Sequence, residues 1–213
     1  METRATKINS AVNKNAIIRV IPGHFATNHS HINYYVDMTI MKSRKSEAAA
    51  AASVLARKYS SSTFIDTIIC MDGCEVIGAY LADDLTASGI MSLNQHKTMY
   101  IVTPEANPGG QLIFRDNMQM MIENKHCLLL LASATTGRTI ASAIECIRYY
   151  GGIVEGVSAI FSASRMVQGI EINTIFSKDD IPQYATYDAA KCPMCARNEK
   201  IDAIVNSFGY SKL

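Results

Sequence analysis

The sequence lacks the features that would point to a membrane or secreted protein. No apolar run approaches the roughly 20 residues that a membrane-spanning helix needs, and the polar N-terminal stretch contains no signal-peptide core. Cysteine is sparse, with six in 213 residues, which is too few for a disulfide-stapled secreted domain. We therefore expect a cytoplasmic protein with reduced thiols and no membrane contact.

Charge is also modest. Charged residues make up 18% of the chain and the net charge is +1, so no global field favours nucleic acid as a partner. Apolar residues make up 48%, which is enough to bury a full core and too many for a disordered chain. A chain of this length fits one domain over residues 1–213, and we expect no nucleic-acid partner.

The alternation of apolar strands with helices predicts the fold class. Strands are predicted at 64–73, 97–103, 126–132, 153–162 and 169–177, and helices at 42–59, at 74–89 with its end at Gly89, and from about 138 to the Gly151-Gly152 stop. This alternation predicts an α/β fold with a central, mainly parallel sheet flanked by helices. Ligands of such sheets bind outside the carboxyl ends of the strands, where the loops 70–74, 103–118 and 132–139 lie.

One strand-to-helix turn carries a pattern typical of anion binding. In LLLLASATTGRTIASAIECI, residues 128–147, a leucine-rich strand runs into a small, hydroxyl-rich turn. The turn consists of Thr135, Thr136, Gly137, Arg138 and Thr139. Free backbone N–H groups and the helix dipole favour an anion there, glycine lets the backbone come close, and threonines add hydroxyl donors. A capped helix start without a ligand is the simpler alternative, and spacing alone leaves both open.

Four segments in the right order resemble the type I phosphoribosyltransferases, and most closely the orotate phosphoribosyltransferases. The turn at 135–139 with its strand and helix resembles the family's phosphoribosyl pyrophosphate motif. GHFATNHSHINYYVD at 23–37 resembles an N-terminal Gly-x-Phe segment, and DTIICMDGCEVIGAYLADDL at 66–85 stands in the place of the pyrophosphate-loop strand and helix. YDAAKCPMC at 187–195 resembles a Cys-Pro-x-Cys tail found in some members.

The resemblance implies a layout, a ligand and an assembly. It implies an N-terminal hood segment at about 15–40, a C-terminal tail at 178–213, a homodimer, and a phosphate-bearing ligand such as a nucleotide or phosphoribosyl pyrophosphate. It places the 5′-phosphate at 135–139. It places the pyrophosphate loop at Met71, Asp72, Gly73 and Cys74. Mg²⁺ is implied as a cofactor only if the protein is catalytically active.

The sequence departs from the family pattern where the chemistry would occur. Leu131 and Ala132 stand where the family has two adjacent acids, and neither side chain can bind ribose hydroxyls or Mg²⁺. The loop 103–114 contains no Lys, Arg or His, and Arg115 is the only cation close behind it. We therefore expect a degenerate site that binds its ligand with little or no transferase activity. The alternatives are an active enzyme that makes orotidine monophosphate from orotate and phosphoribosyl pyrophosphate, and an interaction protein that binds no ligand.

The cysteines leave three interpretations open. Cys192 and Cys195 in CPMC have the spacing of metal ligands or of a redox pair, but a structural zinc ion needs four ligands. Cys70 and Cys74 complete such a set only if the C-terminal tail folds over the loop that follows the first strand. Ordinary structural thiols are the simplest interpretation, and no metal ligand is predicted.

The histidines and a pair of aspartates also have ordinary interpretations. His24, His29 and His31 lie within eight residues of one another, and surface or hydrogen-bonded histidines explain them without a metal. Asp83 and Asp84 are adjacent on a predicted helix, so their side chains point about 100° apart and do not converge on one ligand. A solvated helix face accounts for this acidic pair.

Overall fold

The computed structural model describes residues 2–87, 93–94 and 98–213. The strands are β1 (Thr6–Asn9), β2 (Ile17–Ala26), β3 (His31–Asp37), β4 (Thr67–Cys70), β5 (Tyr100–Val102), β6 (Glu105–Ala106), β7 (Leu112–Ile113), β8 (His126–Ala134), β9 (Ile153–Ser162), β10 (Met166–Val167), β11 (Ile170–Ser177), β12 (Thr186–Tyr187), β13 (Ala203–Asn206) and β14 (Gly209–Lys212). The α-helices are α1 (Thr39–Ser43), α2 (Lys45–Ala56), α3 (Glu75–Ala87), α4 (Asp116–Gln119), α5 (Arg138–Tyr149) and α6 (Pro193–Ala196). None of the helices in these ranges has the length and apolar character of a membrane span.

A parallel sheet forms the centre of the molecule, as the alternation of strands and helices predicts. Its strand order is β10-β11-β9-β8-β4-β5, and only the edge pair of β10 and β11 is antiparallel. Side chains of β8 alternate between two cores. Leu128 and Leu130 pack with α2 and α3, whereas Leu129 and Leu131 pack with α5. Because both faces of β8 are covered by helices, the strand is apolar throughout its centre, and the predicted α/β fold is confirmed.

Several predicted boundaries differ from the observed ones. The predicted strand at 64–73 is ordered as a strand only over β4, and the strand at 97–103 only over β5. The predicted helix at 42–59 is two helices, because Arg44 adopts an extended conformation between α1 and α2. The predicted loop at 103–118 contains a small β6–β7 hairpin, here called the flap, and the start of α4. The predicted end of the second helix at Gly89 lies outside the described residues.

A second sheet, here called the hood, is built from both ends of the chain. Its order is β12-β3-β2-β13-β14, with β1 paired to β2. The predicted hood segment at about 15–40 supplies β2 and β3, while residues 178–213 supply β12, β13 and β14. β13 pairs with β2 in parallel and β12 pairs with β3 antiparallel. The C-terminal region is therefore part of the hood rather than an appended tail, because its backbone hydrogen bonds are made with the N-terminal strands.

Candidate functional site

A cavity of about 280 Å³ lies between the hood and the carboxyl ends of β4, β8 and β9. The hood contributes the β2–β3 loop at 27–30 and the segment 205–207. The sheet side contributes Asp72, Ser133, Thr135, Thr136, Thr139 and Phe161. This is the edge at which parallel sheets bind ligands, so two of the three loops that the sequence places there, 70–74 and 132–139, face the cavity.

The turn between β8 and α5 owes its shape to Gly137. This residue is the N-cap of α5 with φ 74° and makes no side-chain cap; its carbonyl accepts the hydrogen bond of Ala141 N at 2.9 Å. A Cβ atom at this position would lie 2.8 Å from Cγ2 of Val167. The sequence analysis explained the glycine by close approach of a ligand to the backbone. In the structure the left-handed φ and the contact with Val167 require it.

The threonines of this turn line the cavity and make no side-chain hydrogen bond to the described part of the protein. Thr135, Thr136 and Thr139 line the cavity and also a shallow cleft of about 30 Å³ against the turn. None of their hydroxyls hydrogen-bonds to another residue in the described part of the chain, and no side chain caps α5. The first N–H groups of a helix have no intrahelical partner. The turn therefore presents unused donors to the cavity, which is what an anion at a helix N-terminus requires.

Arg138 does not join these donors. It is the first residue of α5, its side chain is exposed, and it lines neither the cavity nor the cleft. Of the five residues predicted at this turn, the three threonines and Gly137 surround the cleft. Arg138 contributes at most its backbone N–H group.

The turn between β4 and α3 also faces the cavity, through Asp72. Asp72 and Gly73 both have left-handed backbones, with φ 61° and 74°. Burial raises the pKa of the Asp72 carboxyl, and hydrogen bonds from the Ser207 hydroxyl and from the backbone N–H groups of Ala132 and Ser133 partly offset this. The carboxyl of Asp72 therefore faces the cavity close to the end of β8, where its negative charge would oppose an anionic ligand.

The other predicted residues of this second turn do not reach the cavity. Met71 and Cys74 are buried in the two cores, and burial raises the pKa of the Cys74 thiol well above its usual value. A Cβ atom placed at Gly73 would lie 3.8 Å from Lys42 Nζ and would meet no other group within 4 Å in the described part of the chain. Asp72 is therefore the residue of the predicted pyrophosphate loop that lines the cavity.

Lys42 is a cavity residue that the sequence analysis missed. Its Nζ donates hydrogen bonds to the backbone carbonyl of Asp72 at 2.7 Å and to that of Ser207. Among the described residues that line the cavity, Lys42 is the only Lys or Arg and Asp72 the only carboxylate. No local signal could have revealed the pairing, because Lys42 lies 30 residues before Asp72 in the sequence.

The positions that the family fills with acids are inaccessible here. Leu131 and Ala132 are fully buried on opposite faces of β8, one in each core. With Asp72 as the single carboxylate among the described cavity residues, the site fits Mg²⁺ only where the oxygens of a ligand and water supply most of the coordination. The protein itself offers little of a magnesium site.

Arg115, the cation behind the loop 103–114, is also engaged. Arg115 donates two hydrogen bonds to the carboxylate of Glu105 on the flap, at 2.8 and 2.7 Å. This bidentate pair is exposed to solvent, so its contribution to stability is small. It does, however, place an acid against the one cation that the sequence offers near the loop.

Part of the cavity wall is aromatic. Tyr34, Tyr35, Phe161 and Tyr184 contribute to it. The rings of Phe161 and Tyr184 meet edge to face at a centroid distance of 5.0 Å, and burial raises the pKa of Tyr35 to about 12, so this phenol stays neutral. Aromatic faces next to hydrogen-bond donors suit a ligand that joins a planar ring to a phosphate.

The remaining acids of the second predicted helix lie outside the cavity. Glu75 accepts a hydrogen bond from the Thr103 hydroxyl at 2.8 Å, at the start of the flap. Asp83 is exposed and Asp84 is half-buried, and neither lines the cavity. Burial, together with the charge of Asp83, raises the pKa of Asp84.

The histidines and cysteines of the sequence analysis separate into two places. His29 lines the cavity, whereas His24 and His31 meet Cys192 and Cys195 in a cluster beside it. In the sequence the histidines and the CPMC cysteines carry separate interpretations, and 161 to 171 residues separate His24 and His31 from Cys192 and Cys195. Cys70 and Cys74, the possible partners of the CPMC pair in the sequence, are buried in the core and do not belong to this cluster.

Comparisons with known proteins identify the fold. No protein-family sequence model matches the chain, and no curated protein sequence is significantly similar to it. Solved structures do match, and the fold they share with this chain is that of the type I phosphoribosyltransferases.

Three of these structures indicate the range of the likeness. The UMP synthase of Leishmania donovani matches with a TM-score of 0.57 and 13% identity, over 84% of this chain and 36% of the synthase. The orotate phosphoribosyltransferase of Mycobacterium tuberculosis matches with a TM-score of 0.50 and 15% identity, over 76% of this chain and 91% of the enzyme. An adenine phosphoribosyltransferase of Thermoanaerobacter pseudethanolicus matches with a TM-score of 0.50 and 14% identity, over 83% of this chain and 96% of the enzyme.

Proposed function

We propose that the protein binds a phosphate-bearing small molecule, a nucleotide or a ribose phosphate such as phosphoribosyl pyrophosphate, with little or no transferase activity. The observation that carries this proposal is the set of three threonine hydroxyls at the start of α5, which have no partner among the described residues and face the cavity. A volume of about 280 Å³ is at the lower end for small-molecule sites. The structure of the Mycobacterium tuberculosis orotate enzyme with phosphoribosyl pyrophosphate is consistent with such a ligand for this fold.

Weak or absent catalysis is supported by what surrounds the phosphate turn. Transfer of a phosphoribosyl group expels pyrophosphate and depends on oriented charges. Here Leu131 and Ala132 are buried, Arg115 is paired with Glu105, and Lys42 is held by two backbone carbonyls. Loss of one oriented donor costs about 100–1000-fold in rate, so the absence of acids and loop cations together leaves little transferase activity.

The active-enzyme alternative has one observation in its favour. Lys42 and Asp72 place a cation and a carboxyl in the cavity, and these are the charged groups that a transferase mechanism would use here. The structural relatives include enzymes for orotate and for adenine, so both bases belong in the test. The interaction-protein alternative predicts that no phosphate-bearing ligand binds.

Calorimetric titration combined with a pyrophosphate-release assay tests these possibilities. The ligands are phosphoribosyl pyrophosphate, orotate, adenine, and the monophosphates of orotidine, uridine and adenosine, each nucleotide paired with its nucleoside as a control that lacks only the phosphate. We expect at least one phosphate-bearing ligand to bind and its nucleoside to bind far more weakly. With excess Mg²⁺ we expect no base-dependent release of pyrophosphate.

Two outcomes would contradict the proposal. Steady turnover in the ordinary enzymatic range of about 1–1000 per second would establish the active-enzyme alternative. Absence of binding by every phosphate-bearing ligand at millimolar concentration would favour the interaction protein. The homodimer that the family resemblance implies stays a prediction, which light scattering on the purified protein measures directly.

A further inference from the structure

Four potential metal ligands converge at one point beside the cavity. His24 lies on β2, His31 begins β3, and Cys192 and Cys195 flank the first turn of α6. His24 Nε2 lies 3.0 Å from His31 Nδ1 and 3.6 Å from each cysteine sulfur. Cys195 Sγ lies 3.3 Å from His31 Nδ1, and all four ligand atoms lie within 4.8 Å of one another.

These separations fit a tetrahedral zinc site. Zn–N distances near 2.0–2.1 Å and Zn–S distances near 2.3 Å place the ligand atoms of a tetrahedron about 3.3–3.8 Å apart. Four of the six separations, at 3.0–3.6 Å, come close to this range, and the other two are no longer than 4.8 Å. Two thiolates and two imidazoles form a typical donor set for zinc, whereas magnesium and calcium prefer oxygen.

Hydrogen bonding alone does not account for the arrangement. The Nδ1–H of His24 donates to the backbone carbonyl of Glu199 at 2.9 Å, because a carbonyl can only accept. The Nε2 atom of neutral His24 therefore carries a lone pair and can accept one proton. Three potential partners surround this single lone pair, while a metal ion satisfies all four groups at once. Histidine ligands of zinc usually donate a hydrogen bond from their other ring nitrogen to a carbonyl or carboxylate, which fixes the orientation of the ring.

The backbone holds His24 in this orientation. β2 has an irregular register between Pro22 and Phe25, and such bulges redirect side chains. Asp202 clamps the bulge, since its carboxylate accepts the His24 N–H at 3.0 Å and its own N–H donates to the His24 carbonyl at 2.7 Å. Gly23 leaves room for this clamp, because a Cβ there would lie 2.4 Å from the Asp202 carboxylate.

We infer that the protein contains a structural zinc site formed by His24 Nε2, His31 Nδ1 and the thiolates of Cys192 and Cys195. Four protein ligands fill a tetrahedral ion and leave no position for a substrate, which is typical of structural rather than catalytic zinc. The two thiols lose their protons to solvent when the ion binds. The site goes beyond the proposed nucleotide site and does not depend on it.

The zinc ion would join the two ends of the chain across the hood. Its ligands are separated by 161 to 171 residues from histidine to cysteine, so the ion closes a very long loop, and its binding energy contributes to folding. The loop 27–30 lies between the two histidines, and the segment 205–207 follows the cysteines; both line the cavity. Removal of zinc should therefore loosen the hood side of the cavity.

Elemental analysis of the full-length protein, purified without chelators from zinc-supplemented culture, tests the inference. We expect about one zinc ion per chain and, after replacement by Co²⁺, the absorption spectrum of a tetrahedral site with thiolate ligands. Cys195→Ser and His31→Gln should bind zinc at least about 100-fold more weakly. Cys146→Ser is the matched control, because Cys146 is a buried thiol outside the cluster and its replacement should leave the zinc content unchanged.

Reversible zinc removal from the wild type keeps the test independent of variants that fail to fold. A high-affinity chelator should lower the melting temperature, and added Zn²⁺ should restore it. A wild-type protein that carries no zinc and yields no tetrahedral Co²⁺ spectrum would overturn the inference. Zinc that persists in a Cys192→Ser/Cys195→Ser double variant would also overturn the inference. A Cys192–Cys195 disulfide in the purified protein, detected as a mass lower by two hydrogens, would do the same.

Discussion

The turns that follow β4 and β8 have similar backbones and different uses. Both connect a parallel strand to a helix at the same edge of the sheet, and each contains a glycine with φ 74°. At the β8–α5 turn the threonine hydroxyls have no partner among the described residues. At the β4–α3 turn the Lys42 ammonium already donates to the backbone carbonyls of Asp72 and Ser207, and the Asp72 carboxyl lines the cavity.

This difference explains why a strand-to-helix turn with a glycine is not sufficient for a phosphate site. The backbone supplies oriented N–H groups in both turns, but a ligand gains binding energy only from donors that the folded protein leaves unused. In the proposed function, the β8–α5 turn offers its unused donors to the phosphate, whereas the β4–α3 turn places the Asp72 carboxyl beside the ligand. The two turns would therefore differ in available donors and in charge.

The largest effect is expected from substitution of the two glycines. Gly137→Ala and Gly73→Ala both force a left-handed φ on alanine, which costs roughly 1–2 kcal/mol. Only Gly137→Ala also creates a contact of 2.8 Å with Val167, and such overpacking adds about 1–3 kcal/mol. Urea unfolding should show the greater loss of stability for Gly137→Ala.

The variant Val167→Ala provides the control for this comparison. In the Val167→Ala background, Gly137→Ala should cost about as much as Gly73→Ala, because the contact is gone and only the backbone strain remains. Equal losses for the two glycine variants in the wild-type background would show that the contact with Val167 does not matter.

The second prediction separates phosphate binding from helix capping. Thr136→Val should weaken binding of the best phosphate-bearing ligand by about tenfold or more, since a hydrogen bond to a charged group contributes roughly 1.5–3 kcal/mol. Its stability should change by less than about 0.5 kcal/mol, because no described residue accepts or donates a hydrogen bond at this hydroxyl. Calorimetry and thermal unfolding measure the two quantities side by side.

Thr103→Val is the matched control for this threonine. Its hydroxyl bonds Glu75 and does not line the cavity, so ligand affinity should be unchanged. If Thr136→Val instead loses about 1 kcal/mol of stability with unaltered affinity, the hydroxyl acts as a cap and the site assignment is wrong.

The third prediction concerns the charge of Asp72. Its pKa in the folded protein is raised above the ordinary value of 3.8, so the folded state holds this proton more tightly than the unfolded state does. The resulting stabilisation is present below the ordinary pKa and is lost as pH rises through the raised value. As the pH increases from the ordinary pKa of 3.8 through the raised pKa of Asp72, the Asp72→Asn variant should therefore gain stability relative to the wild type. Urea unfolding at several pH values measures this difference in the free energy of unfolding.

The same substitution should strengthen anion binding. Removal of a negative charge beside the ligand is expected to tighten binding several-fold, on the order of 1 kcal/mol. The gain should shrink at low pH, where Asp72 of the wild type is itself protonated. A parallel pH dependence in the two proteins would mean that Asp72 does not face the ligand.

The smallest effect is expected from magnesium. With one carboxylate among the described cavity residues, Mg²⁺ should change the affinity for phosphoribosyl pyrophosphate by less than about twofold, or roughly 0.4 kcal/mol. Calorimetry in Mg²⁺ and in a chelator measures this directly. A strong magnesium requirement that disappears in Asp72→Asn would show that this carboxyl takes over the role of the missing acids at 131–132.

The sequence by itself determined the central sheet and the strand-to-helix turn at 135–139. Strand β8 is recognisable because a continuous apolar run is what a strand covered on both faces needs. The turn at 135–139 is recognisable because a glycine between threonines at a helix start is a local pattern with local causes. The buried positions of Leu131 and Ala132 likewise follow from the strand to which they belong.

Only the tertiary structure decided which distant groups meet. It paired Lys42 with Asp72, built one hood from both ends of the chain, and brought His24 and His31 to Cys192 and Cys195. Each of these contacts depends on strand pairing between segments far apart in sequence, and side-chain periodicity reports the burial of a strand but not its partner. The physical reason is that hydrophobic patterns are set by local geometry, whereas strand pairing is chosen by the packing of the whole chain.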